Sequence, residues 1–374
     1  MFFKDIIGQE KIKKRLIKSV TEERISHAQL FSGHKGTGKL AMAIAYAQFI
    51  SCKNRSATDS CGTCPSCHKY NKLTHPDLHF VFPIFNTKKI KKPVCDDFLS
   101  EWREMVLKNP YFTLGEWLKN INAGNAPGMI YERESDSIYR KLNLKSFESE
   151  FKVMIIWLPE KMHIACANKL LKLIEEPPNK TLFLLITEDA ESVISTIRSR
   201  VQPVNFPFVN DSAIRLALEN NSTLSPEQIA DAVQLAGGSY IKALENLNPS
   251  EEEQFFFNKF QELMRMAYLR EIIPLTEWAE EMAGTSREQQ KAFLAFALRL
   301  IREYFIFNFK NYDLISLKAY EKDWGKKFAP FINERNIIPF FNEFELGFKQ
   351  ISMNGNPRII FLDIALKIVR LIKR

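Results

Sequence analysis

Val153-Met154-Ile155-Ile156-Trp157 and Leu182-Phe183-Leu184-Leu185-Ile186 are five-residue runs with no polar interruption. A run this short and this apolar suits a strand buried on both faces, the situation in a parallel sheet covered by helices on either side. Ala28-Gln29-Leu30-Phe31 is a third strand-length segment, and Val201 to Phe206 alternates as an edge strand does. Between them Leu40 to Ile50 (LAMAIAYAQFI) reads as a buried helix. The first 206 or so residues therefore predict an α/β unit built on a parallel sheet.

The junction between the first strand and its helix carries Gly33-His34-Lys35-Gly36-Thr37-Gly38-Lys39, a G-x-x-x-x-G-K spacing. Glycines let the backbone wrap a phosphate closely, amides at a helix N-terminus point at the anion, and Lys39 adds a positive charge. Gly33, Gly36, Thr37, Gly38 and Lys39 are thus the candidate nucleotide-binding residues, for ATP or ADP. The following residue is Leu40, where a serine or threonine would hold Mg²⁺, and a leucine offers no oxygen. The strand KVMIIW then runs into Leu158-Pro159-Glu160, so Trp157 and Leu158 stand where an ATPase places metal-holding acids. Glu160, beyond a proline, reads as a solvated carboxylate at a helix start. Nucleotide binding is possible at such a site; hydrolysis is not expected.

Cys52, Cys61, Cys64 and Cys67 follow a C-x8-C-x2-C-x2-C spacing with turn-forming residues between them. Thiolates so spaced can grip one tetrahedral ion, and four sulfurs leave no open position, which predicts a structural Zn²⁺. Cys95 and Cys166 read as a loop thiol and a buried helix residue. Four clustered cysteines out of six in 374 residues fit a reduced cytoplasm with a metal site better than a disulfide scaffold.

From Phe82 to Glu150 the pattern is irregular, and residues 84–130 read as an insertion with its own loops more than as a core element. Strands disappear after Asn210. Ser225-Pro226-Glu227-Gln228 opens a helix running toward Gly237-Gly238, and long amphipathic helices begin at Glu251. The net charge of +8, from 52 basic and 44 acidic side chains, permits nucleic acid as a neighbour without requiring it. The only basic run, Lys88 to Lys92, reads equally as a solvated loop. Lys4 and Asp5 interrupt the N-terminus where a signal peptide needs an apolar run, and no apolar stretch reaches membrane-spanning length, so neither secretion nor membrane insertion is expected.

In combination these segments resemble the clamp-loader branch of the AAA+ ATPases, most closely the delta-prime family of bacterial DNA polymerase III. The matching stretches are FKDIIGQEKIKKRL, HAQLFSGHKGTGKLAMA, the four-cysteine module, NKLLKLIEEPPNKTLFLLIT, IRSRVQPVNF, AGGSYIKALENL and NGNPRIIFLDIALKIVRLI. The resemblance implies an AAA+ domain over residues 1–207, with a zinc module near 52–67 and an insertion near 84–130. A small helical lid over 208–250 and an all-α collar over 251–374 would follow. Arg200 in Ser199-Arg200-Val201 matches the family's arginine finger, which reaches the γ-phosphate of ATP on a neighbouring subunit; Arg198 reads as structural. Ile241 takes the place of a sensor arginine, and Thr187 keeps the polar end of the sensor strand.

These departures imply a non-hydrolysing subunit in a cytoplasmic hetero-pentamer with gamma/tau-like ATPase subunits and a delta-like subunit. Through the assembly it would act on the sliding clamp and primer–template DNA in replication. The two rivals are an active gamma/tau-like ATPase subunit and a DNA-binding AAA+ regulator.

Overall fold

The structure, a computed structural model, describes residues 1–374 apart from 87–91, 125, 179, 222–223, 248–250, 310–314, 316 and 373–374. Most of the basic run near Lys88 lies outside the described residues. The chain divides into two compact units. The first comprises Met1–Leu224 with Ala236–Ala243, and the second comprises Ser225–Leu235 with Leu244–Arg374.

The first unit is built on strands β1 (Ala28–Ser32), β2 (Leu78–Val81), β3 (Lys152–Trp157), β4 (Thr181–Thr187) and β5 (Gln202–Asn205). They form one sheet in the order β2-β3-β4-β1-β5. Every neighbouring pair is parallel, with Ile155 beside Leu184 and Leu30 beside Leu185. Every residue of β1, β3 and β4 is buried, as the uninterrupted runs require, while β5 closes an edge with only Val204 buried. Strand β2 is absent from the pattern-based reading: His79 breaks its short apolar run, and only pairing with β3 makes it a strand.

Helices α1 (Glu10–Thr21), α2 (Lys39–Ser51), α3 (Pro65–Asn71), α4 (Leu99–Lys108), α5 (Leu114–Asn120) and α6 (Glu134–Asn143) come before β3 or flank the earlier strands. After it come α7 (Ile164–Glu175), the single turn α8 (Ser195–Arg198) and α9 (Asp211–Asn221). All residues of α2 are buried, so this helix has no solvent face.

The stretch 84–130 differs from its sequence reading. Trp102 on α4 and Trp117 on α5 are fully buried. Trp102 stacks on Phe82 at 4.2 Å and meets Trp117 edge-on at 5.1 Å, and the Trp117 indole donates to the Pro83 carbonyl at 2.8 Å. An isolated bridge between Ile84 and Met129 closes the segment's ends. This is core, because three large aromatic faces cannot be left in water cheaply. Cys95 is likewise no loop thiol: it is fully buried, with its sulfur donating to the Phe82 carbonyl at 3.2 Å.

The second unit is helical: α10 (Pro226–Ala236), α11 (Tyr240–Leu247), α12 (Glu251–Leu269), α13 (Ile272–Ala283), α14 (Arg287–Phe307), α15 (Ala319–Phe328), α16 (Ile337–Ser352) and α17 (Pro357–Leu371), the first two shared at their ends with the sheet unit. Ser225 and Gln228 cap α10 reciprocally. Phe260, Trp278, Phe293, Tyr304, Phe340 and Phe361 anchor one apolar core. Glu321 is fully buried there against Arg299 and the Lys318 amide, so the charge is paired and hydrogen-bonded. Among the described residues no helix is long and apolar enough to cross a membrane.

Candidate functional site

The glycine loop connects β1 to α2 in the first unit. Gly36 has φ +81°, and a Cβ there would lie 2.3 Å from the Ser239 hydroxyl, so only glycine fits. Gly38 has φ +84°, and its missing Cβ leaves room for Tyr111, whose hydroxyl would stand 3.1 Å away. The Thr37 hydroxyl donates to the His34 carbonyl at 2.8 Å. Ser239 donates to the Lys35 carbonyl at 2.8 Å, and the Tyr240 amide donates to Gly36 at 3.2 Å. Gly33, Gly36, Thr37, Gly38 and Lys39 are therefore brought into one loop, as the spacing predicts.

Lys39 does not stand free in this loop. It is 6% exposed, and its ammonium donates to the carbonyls of Gly33 and His34, both at 2.6 Å. Burial lowers its pKa to about 8, against the opposing pull of Glu188 and Glu160. Leu40, Trp157, Leu158 and Ile241 are all buried. Leu40, Trp157 and Ile241 line the small cavity over the loop, together with Pro110, Tyr111, Phe112, Ile186 and Glu188. That cavity measures about 30 Å³, and a larger one of about 1390 Å³ shares Pro110 and Tyr111 in its lining.

Glu160 corrects its sequence reading. Leu158 adopts a left-handed conformation at φ +58°, which bends the chain after β3 and turns Glu160 toward the end of β4. One carboxylate oxygen accepts from the Glu188 amide at 3.4 Å, and the other is buried without a partner among the described residues. Glu160 does stand in the first turn of a short 3-10 helix, Pro159–Lys161, as the sequence suggests, but burial raises its pKa, so it is not a solvated carboxylate. Thr187, at the end of β4, holds Asp189 through its hydroxyl and the Asp189 carbonyl at 2.9 Å.

The side chains that sequence reasoning missed are Pro110, Tyr111 and Phe112. Their signal was the concentration of aromatic residues in an apparent loop: Trp102, Trp117 and Trp157, three of the chain's five tryptophans, meet in this one cluster.

The cysteines converge on their own. The four sulfurs of Cys52, Cys61, Cys64 and Cys67 all lie within 4.8 Å of one another. Cys52 and Cys61 are 3.5 Å apart, and Cys61 and Cys67 are 3.9 Å apart. Zn–S bonds of about 2.3 Å place tetrahedral sulfurs about 3.8 Å from each other, so this cluster could hold zinc. Backbone amides of Cys61, Cys64 and Cys67 donate to the sulfurs of Cys52, Cys61 and Cys64 respectively. The amides of Thr63 and Cys64 pull the Cys61 thiol down to about 6, which favours the thiolate a metal needs. The knuckle also fastens the N-terminus: Asp59 accepts from the amides of Phe3 at 3.2 Å and Lys4 at 3.0 Å.

Arg200 lies away from both groups, just after α8. Its side chain is 39% exposed and ion-paired to Glu175 at the end of α7. It also donates to the Thr196 carbonyl at 3.0 Å. Arg198 instead pairs with Glu191 at 2.5 Å.

The chain is similar to known proteins in sequence. Over 267 residues the chain is 28% identical to the DNA polymerase III subunit delta' of Bacillus subtilis, covering 67% of this chain and 68% of that protein. It is 27% identical over 212 residues to the DNA polymerase III subunit tau of the same organism, covering 57% of this chain but only 30% of that protein. Among solved structures, a DNA polymerase III gamma-subunit-related protein from Thermotoga maritima superposes with a TM-score of 0.37 at 13% identity, over 97% of this chain and 99% of that one. The family model described as DNA polymerase III, delta subunit, matches residues 8–210, more than half of the chain. The protein belongs to that family, as a clamp-loader subunit of the delta-prime-like kind.

Proposed function

We propose that this chain is the stator-like subunit of a DNA polymerase III clamp loader, hydrolysing no ATP itself and donating Arg200 to the ATP site of a neighbouring gamma/tau-like subunit. The observation that carries this reading is a contrast between two sites. Around Lys39, the places for metal-holding and sensing groups belong to buried Leu40, Trp157, Leu158 and Ile241. Arg200, by contrast, keeps a half-exposed guanidinium.

A guanidinium brought to a γ-phosphate offsets the charge that develops during transfer, an effect of about 10³–10⁵ in rate. The ion pair with Glu175 does not prevent this. Exposed pairs contribute only about 0–1 kcal/mol, so exchanging a carboxylate for a triphosphate is inexpensive, while Glu175 keeps the side chain aimed until then. In this reading zinc in the cysteine knuckle is structural, residues 208–250 form a lid and 251–374 a collar that packs with gamma/tau-like and delta-like neighbours in a hetero-pentamer. The assembly opens the sliding clamp and sets it on primer–template DNA.

Reconstituting the loader with Arg200→Ala tests the proposal. DNA-stimulated ATP turnover by the partner should fall steeply while the complex still assembles; unchanged turnover refutes the finger role. The near-equal identity to delta' and tau supports one rival, a motor subunit, which predicts ATP hydrolysis by this chain alone that Lys39→Ala abolishes. A DNA-binding regulator would instead show tight, strongly salt-dependent DNA binding by the isolated chain.

A further inference from the structure

The helical unit carries a groove of about 220 Å³ where the end of α12 meets the end of α15 and the turn after it. Its walls are largely aromatic. Trp324 stacks on Phe328 at 4.2 Å, and Tyr268 meets Phe331 edge-on at 5.1 Å. Tyr268 is 43% exposed, and past it the turn into α13 leaves Leu269, Ile272 and Ile273 exposed as well, Ile273 at 74%. One exposed apolar residue is ordinary on a protein surface. Four of them between positions 268 and 273, continuing an apolar groove, form a patch.

Arg265 and Lys327 flank this groove, and among the described residues no acidic side chain lines it. Both are exposed, and neither has an ion-pair partner among the described residues. The acids nearest them in sequence are engaged elsewhere: Glu262 holds Lys259, and Asp323 holds Lys326. The Trp324 indole N–H likewise donates to no acceptor among the described residues. A cation in the last turn of a helix, as Lys327 is, complements the helix dipole. Arg265 lies before the last turn of α12, so that account does not explain why both cations border one apolar groove.

We propose that this groove docks an acidic segment of a partner protein, with one bulky apolar side chain of that segment in the groove and its carboxylates on Arg265 and Lys327. Size argues for a side chain and against a cofactor, since small-molecule sites enclose roughly 300–1,000 Å³. In such a pocket the apolar anchor supplies affinity, while the charged rim selects partners of opposite sign and repels basic ones. Single-stranded nucleic acid fits less well. It stacks its bases on open ring faces, whereas Trp324 and Phe328 spend a face on each other and the adjoining strip is mostly aliphatic. This docking is independent of the clamp-loader reading and of the action of Arg200 on a neighbour's ATP.

A phage-displayed library of random peptides about twelve residues long, panned on the full chain, tests it. Enriched peptides should carry an excess of acidic residues beside a leucine, phenylalanine or tryptophan. A fluorescein-labelled synthetic copy should bind the wild type saturably, and bind Arg265→Glu/Lys327→Glu at least about tenfold more weakly. Both side chains are exposed, so that variant should melt with the wild type. If it does not, Arg265→Gln/Lys327→Gln takes its place, with an expected loss of at least about threefold. No enrichment, enriched peptides without acids, or equal binding by the folded variant would overturn the proposal. So would displacement of the peptide by oligo(dT), which would make the groove a nucleic-acid site.

Discussion

Replacing Lys39 by methionine separates a lysine that serves a phosphate from one that serves its own loop. An ordinary lysine titrates at 10.5, and burial pulls Lys39 down to about 8. At about 1.4 kcal/mol per pH unit, that difference corresponds to roughly 3 kcal/mol. Between these two values the unfolded chain keeps a proton that the folded chain releases. Stability of the α/β unit therefore rises as pH climbs from about 8 to 10.5, and below about 8 the whole cost of the buried charge is present. Methionine carries no proton and lacks this dependence. It also strands the Gly33 and His34 carbonyls, but that loss does not vary with pH. The quantity to measure is the difference in unfolding free energy between wild type and Lys39→Met by urea denaturation at successive pH values. A background carrying Trp278→Phe and Trp324→Phe leaves only tryptophans of the first unit to report. Wild type should gain about 3 kcal/mol on the variant across the window. Parallel profiles would refute the reasoning, because they would mean that the ammonium is solvated or held charged by an anion.

Zinc should be found at one ion per chain by elemental analysis, and Cys64→Ser or a strong chelator should remove it. Loss of the metal should speed hydrogen exchange at Phe3 and Lys4, whose amides depend on Asp59 in the knuckle. Trp117→Ala should destabilise the first unit by about 3–5 kcal/mol in denaturant unfolding, through the cavity left beside Trp102 and the orphaned Pro83 carbonyl. A loss below about 1 kcal/mol would instead mean that residues 84–130 form a surface appendage.

Much of the fold is readable one segment at a time, because the relevant physics is local. Uninterrupted runs at Val153–Trp157 and Leu182–Ile186 suit strands buried on both faces, and they are such strands. The glycine loop marks its own turn from strand to helix, and ligand spacing gathers Cys52, Cys61, Cys64 and Cys67 within a few turns of chain. Arg200 needed more than local pattern: its motif suggested a role, and folding supplied Glu175, 25 residues away, to orient it.

Contacts between distant segments decided the rest. Strand β2 exists because β3, some 70 residues later, pairs with it. Glu160 is turned inward by the left-handed Leu158, a backbone choice that no side-chain pattern announces. Tyr111 reaches the Ile7 amide across 104 residues, and Phe112 meets Trp157 across the sheet unit's core. Residue types in the chain determined that Leu40 and Trp157 offer no carboxylate or hydroxyl oxygen beside the glycine loop. Which remote side chains stand over the glycine loop was settled only by packing, since that depends on what the folded backbone delivers there.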